Sequence, residues 1–197
     1  MTPGRRRLLG GLAAAALAVV LAVGVTLAVT GDADERAPVA VANAPNTAPG
    51  PAAGGEVLAG RPAPKLSGTD PITGDRVSLA DFRGKPVVLN FWASWCGPCT
   101  RELPALQKFA DSHPEVAVLG VNFQDGAADA RRLQGELGFT FPSIADPRGE
   151  LGAKLGIPGM PTTFFLTRDH RIVGLIAGGT DLAGFEQGLE LAERSSA

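Results

Sequence analysis

The chain has 197 residues, with 18 Lys and Arg against 20 Asp and Glu and a formal net charge of −2. Two cysteines exclude a disulfide-stapled miniprotein and any four-cysteine zinc site. No basic stripe argues for nucleic acid and no acidic tail for a solvating segment.

Arg5, Arg6 and Arg7 precede Leu8–Val29, a run without a single charge. As a helix this run would be roughly 33 Å long, enough for a hydrocarbon core of about 30 Å. The basic cluster before it and Asp32, Asp34 and Glu35 after it follow the positive-inside rule and put the rest of the chain outside the cytoplasm. Residues 1–30 are therefore expected to be a single-pass membrane anchor. The alternative is a cleaved signal peptide and a secreted product, but the apolar core is longer than such peptides carry. Residues 31–57, rich in Ala, Pro and Gly, bury too little apolar surface to offset their ordering entropy and read as a flexible linker.

Residues 58–195 carry the pattern of one folded domain. Short strands are expected near Pro64–Ser67 and Arg76–Leu79, around turn residues at Pro71–Asp75. Pro86–Trp92 is an almost continuous apolar run, as in a strand buried on both faces. A helix follows to about Ser112, with Leu103, Leu106 and Phe109 on one face and Pro104 inside it. Val116–Phe123 reads as a second buried strand and Ala127–Leu137 as an amphipathic helix. Thr162–Thr167 and Arg171–Ile176 read as strands joined by a tight turn. A last helix spans Asp181–Arg194, with Thr180 as its expected N-cap. This order implies an α/β sandwich, a mixed central sheet flanked by helices.

The chemistry sits at Trp95-Cys96-Gly97-Pro98-Cys99, between a buried strand and a helix. There Cys96 meets unpaired backbone N–H groups and the helix dipole, which favour a thiolate, the species that attacks a disulfide. Cys99, one turn on, can close a disulfide with Cys96. Pro98 presets the first helical turn. A structural role is a poor account, because so short a loop stabilises little. Zinc would need two more ligands, and the two histidines, His113 and His170, are far apart in sequence. Covalent haem needs a histidine where Thr100 stands. The pair reads as a redox-active dithiol that uses no cofactor and no metal.

FRGKPVVLNFWASWCGPCTRELPAL, VLGVNFQD and GIPGMPTTFFLTRDHRIV together resemble the thioredoxin superfamily. Their full pattern is similar to its membrane-tethered TlpA/ResA-like thiol-disulfide oxidoreductases. The resemblance covers about residues 58–192 and implies a thioredoxin-like fold. It puts Pro161 in the cis-proline role, with Met160 and Thr162 beside it meeting an extended substrate along with Trp95, Gly97 and Pro98. It also implies that Glu102 modulates the cysteines; the competing reading is a solvated acid paired with Arg101 or Lys108. Asn90 stands where cytoplasmic thioredoxins place a buried Asp, and an amide cannot take a proton at neutral pH. The implied work is reduction of disulfides in exported proteins, with apocytochrome c as the leading substrate and a membrane thiol transporter as electron donor. The alternatives are a dithiol oxidase or isomerase, and a redox-inert binding module.

Overall fold

The computed structural model describes residues 60–196. The expected membrane helix and the whole linker, residues 31–57, lie outside these residues. Among the described residues no helix is long and apolar enough to cross a membrane.

A small antiparallel hairpin, β1 (Ser67–Thr69) and β2 (Arg76–Ser78), comes first. Its turn is closed by Asp70, which is buried. One carboxylate oxygen accepts from the Ile72 N–H at 2.7 Å, and the other accepts from the Ser143 N–H at 2.8 Å. The same side chain thus makes the turn and ties the hairpin to the sheet. The first strand lies slightly later than the sequence predicts, because Pro64 has no N–H to give a ladder.

The main sheet contains β3 (Val87–Trp92), β4 (Ala117–Phe123), β5 (Ser143–Asp146), β6 (Thr162–Leu166) and β7 (Ile172–Ala177) in the order β5-β4-β3-β6-β7. The first three run parallel, and β6 and β7 join antiparallel, so the sheet is mixed. Helices α1 (Gly97–Ser112), α2 (Ala127–Leu137) and α4 (Leu182–Arg194) cover one face. The hairpin and a short helix, α3 (Glu150–Leu155), cover the other.

This two-sided cover explains the apolar run of β3. Val87, Leu89 and Phe91 pack with Leu66, Val77 and Leu151, whereas Val88 and Trp92 pack with Leu103, Leu106 and Phe109 of α1. Asn90 falls on the α1 side of this alternation, a polar group facing an otherwise apolar helix. The helix α1 runs unbroken through Pro104.

Three elements were not predicted, the first a 3-10 turn at Leu79–Phe82 capped by the Ser78 hydroxyl. The segment β5 is four residues long, and α3 is one and a half turns held between Gly149 and Gly156, both at positive φ (72° and 62°). The expected cap of the last helix is also corrected. Asp181, not Thr180, is the N-cap, its carboxylate accepting from the Gly184 N–H at 3.1 Å.

Candidate active site

The carboxyl end of β3 leads directly into the dithiol. Cys96 is the N-cap of α1 with extended backbone (φ −91°, ψ 100°), and its Sγ accepts from the Cys99 N–H at 3.2 Å. Its carbonyl accepts from the Thr100 N–H and hydroxyl at 3.1 and 3.2 Å. Cys96 and Cys99 form a disulfide with Cα atoms 5.2 Å apart. Gly97 and Pro98 are exposed, while Cys99 is fully buried and Cys96 is 3% exposed. The helix thus delivers the Cys99 N–H to the Cys96 sulfur, the position where negative charge would develop on reduction.

Trp95 is the exposed large apolar side chain among the described residues, at 57%. Its indole N–H donates to the Gln124 carbonyl at 3.0 Å, which pins the ring over the loop after β4. Gln124 itself holds a left-handed backbone, φ 46°. Next to it, Asp125 accepts from the Ser94 N–H (2.6 Å), the Ser94 hydroxyl (2.7 Å), Asn122 Nδ2 (2.9 Å) and the Gly126 N–H (2.9 Å). Partial burial pushes this carboxyl up, but the four donors outweigh it and hold the group below the ordinary carboxylate range. In the sequence, VNFQD stands out only through its resemblance. That resemblance assigns no role to Asp125, whose partners in the Ser94 backbone lie 31 positions away.

Glu102 is 2% exposed and forms no ion pair with Arg101 or Lys108. Asn90 Nδ2 donates to its Oε1 at 2.8 Å, and the Thr180 N–H donates to its Oε2 at 3.0 Å. Burial raises this carboxyl to about 7; the two donors pull the other way and do not cancel it. Glu102 lies one turn beyond Cys99 on the buried face of α1, as an i, i+3 neighbour.

The segment before β6 enters the sheet at this same end, because Thr162 pairs with Phe91. The Met160–Pro161 peptide bond is cis. Met160 is partly buried against the cluster that contains both cysteines. The Pro161 carbonyl accepts from the Gly178 N–H at 2.9 Å, and the Thr162 hydroxyl donates to the Gly159 carbonyl at 2.7 Å.

The two histidines lie elsewhere. His170 occupies the β6–β7 turn, at the end of β6 opposite Thr162, with φ 60°. His113 caps the far end of α1 and is bracketed by Glu115 and Glu186, each at 3.0 Å. Among the described residues no group of three His, Cys, Asp or Glu is placed to hold a metal ion.

A dithiol at a helix N-terminus, backed by a buried acid, can exchange with external disulfides. The comparisons agree with that chemistry. The redoxin family profile matches residues 58–189. The thioredoxin-like protein YneN of Bacillus subtilis is 33% identical over 136 residues, covering 67% of this chain and 79% of the relative. The thiol-disulfide oxidoreductase ResA of Geobacillus thermodenitrificans is 31% identical over 136 residues, covering 68% and 78%. A putative thiol:disulfide interchange protein DsbE from Chlorobium tepidum superposes with a TM-score of 0.63 at 29% identity, covering 68% of this chain and 96% of that one. With its mixed sheet, its Cys96–Cys99 pair and these relatives, the chain belongs to the redoxin family, among the thiol-disulfide oxidoreductases of ResA and DsbE type.

Proposed function

We propose that the chain is a membrane-held reductant of disulfides in exported proteins, working on the extracytoplasmic side. The observation that carries this reading is a helix-capping cysteine whose partner, Cys99, sits one turn from a buried carboxyl group poised near neutrality. In the reduced protein the Cys96 thiolate attacks one sulfur of a client disulfide, and the other client sulfur leaves as a thiolate and takes up a proton. Glu102 takes the Cys99 proton, and the Cys99 thiolate then attacks Cys96 Sγ. The second client thiolate departs and is protonated in turn, leaving the Cys96–Cys99 disulfide.

Trp95, Gly97, Pro98 and the backbone at Met160 form the docking surface for an extended client segment, with the buried Pro161 and Thr162 fixing the loop beneath it. Main-chain recognition of that kind is tolerant of client sequence, and it suits apocytochrome c with its paired cysteines. The N-terminal helix holds the domain at the membrane, and a membrane thiol transporter returns two electrons per cycle.

Insulin reduction and the midpoint potential of the pair test the direction of flow. A potential near that of thioredoxin, about −270 mV, supports the reductant; one near about −120 mV makes the protein an oxidant. Absence of any turnover would leave a redox-inert binding module.

A further inference from the structure

Asn90 is fully buried, and its side-chain amide is bonded at one end only. Nδ2 donates to Glu102 Oε1 at 2.8 Å and to Thr163 Oγ1 at 2.9 Å, while Oδ1 has no hydrogen-bond partner among the described residues. Buried polar atoms nearly always find a partner, so an orphaned amide oxygen beside a buried acid calls for a physical reason.

The reason lies in what Glu102 needs in its two states. When it is ionised, Oε1 needs a donor, and Nδ2 supplies one. Oε2 already faces the Thr180 N–H, a backbone donor that cannot turn around. A proton arriving on the carboxylate is therefore directed to Oε1, where it meets Nδ2, donor against donor. A half-turn of the Asn90 amide places Oδ1 there instead. It then accepts from the carboxylic acid, and the Thr163 hydroxyl, able to donate as well as accept, keeps its bond. The outward end of the amide is unbonded in either orientation, so the half-turn sacrifices no further partner. An amide anchored at both ends could not do this.

We propose that Asn90 is a positioning residue whose amide inverts when Glu102 gains or loses its proton, giving the buried carboxyl group a matched partner in both states. The inference rests on the reading of Glu102 as the base that serves Cys99. Among the described residues no other titrating group intervenes. Asn90 and Thr163 face Glu102 from the sheet, and the Thr180 amide and Gly179 from the loop before α4; the cysteines of α1 are joined in the disulfide. Burial lifts the acid to about 7, so both states are populated at neutral pH.

The fold supplies its own control. Asn122 also has an unpartnered Oδ1, and its Nδ2 likewise donates to an acid, Asp125. That acid is held ionised by its donors, so the Asn122 amide has no cause to turn near neutrality.

The test is an NMR titration of the oxidised full-length chain in detergent, from about pH 5 to about pH 9. The Asn90 side-chain amide signals and the Glu102 carboxyl carbon should move with one shared midpoint, while the Asn122 amide stays still. An Asn90 amide that remains fixed while Glu102 titrates overturns the inference. Asn90→Leu, similar in size but unable to donate, should raise the Glu102 midpoint by about one pH unit and carry the pH–rate profile with it. A lower melting temperature with an unmoved profile would reduce Asn90 to a packing role. Glu102→Gln separates this inference from the one beneath it. If that variant turns over like the parent while Asn90 and Glu102 of the parent titrate with one midpoint, the base reading fails and the amide inversion stands.

Discussion

A carboxyl group with no cation beside it, sealed on the inner face of a helix, keeps its proton to a higher pH than it would in the unfolded chain. For Glu102 the shift runs from 4.5 to about 7, so the folded state binds the proton more tightly than the unfolded state. The stability this confers is fully present below about pH 4.5 and is lost as the pH rises through about 7, on the order of 3 kcal/mol in all. Glu102→Gln removes the titration. Its stability advantage over the parent should therefore grow by that amount between the two limits, as read by urea unfolding at each pH. A constant gap would show that burial is not what holds the proton. A second expectation concerns the reduced dithiol. Cys96, whose sulfur faces the Cys99 N–H, should be alkylated faster than the fully buried Cys99 near neutral pH, as mass spectrometry of the labelled peptides can show. Equal rates would mean that the helix terminus does not favour one thiolate. The cysteines were legible because strand, motif and helix are contiguous in sequence. The environment of Glu102 was not, because its partners Asn90 and Thr180 come from separate elements, 12 and 78 positions away.

At the scale of elements, long and strongly patterned segments could be read and short ones could not. β3, β4, α1, α2 and α4 fall where periodicity puts them, because each presents an apolar face of several residues to the core. The short β5 and α3 carry too few such positions, and tertiary contacts with Asp70 and Asp146 define them. The Asp146 carboxylate accepts from the Leu151 and Gly152 N–H groups at 3.1 and 3.0 Å. Thr180 has a capping residue type, but the helix begins at Leu182 and the side chain that accepts from its first turn is that of Asp181. Packing also separates glycines that look alike in sequence. In α4 a Cβ on Gly188 would lie 2.1 Å from the ring of Phe165, so this helix rests its backbone directly on β6. In α2 a Cβ on Gly135 would meet nothing within 4 Å. Gly188→Ala should therefore destabilise by about 1–3 kcal/mol through overpacking. Gly135→Ala should stabilise by about 0.5–1 kcal/mol through helix propensity alone. Urea denaturation of both variants should give opposite signs; two losses, or two gains, would contradict the packing of α4 on the sheet.

The whole chain pairs a folded domain with an N-terminal apolar run for which the bilayer is the expected solvent. Residues 60–196 form a domain with both faces of its sheet covered, the architecture that the run PVVLNFW demanded and that the resemblance over about residues 58–192 implied. Leu8–Val29 has no charge to break a membrane helix, and as a helix of roughly 33 Å it would match the hydrocarbon thickness. A segment of this kind enters the bilayer by the hydrophobic effect, which added salt does not weaken, whereas a protein held by its surface charges is released as screening increases. The full-length protein should therefore sediment with membranes, remain there through high-salt washing and come off only in detergent. Mass spectrometry of the mature N-terminus should find the apolar run still attached. The opposing outcome is equally specific: a soluble product that begins beyond Val29 would show that the run is a signal peptide and that the oxidoreductase is released. The dithiol chemistry would be unchanged in that case, but nothing would hold the domain near a membrane electron donor, and turnover in cells would depend on a diffusible one.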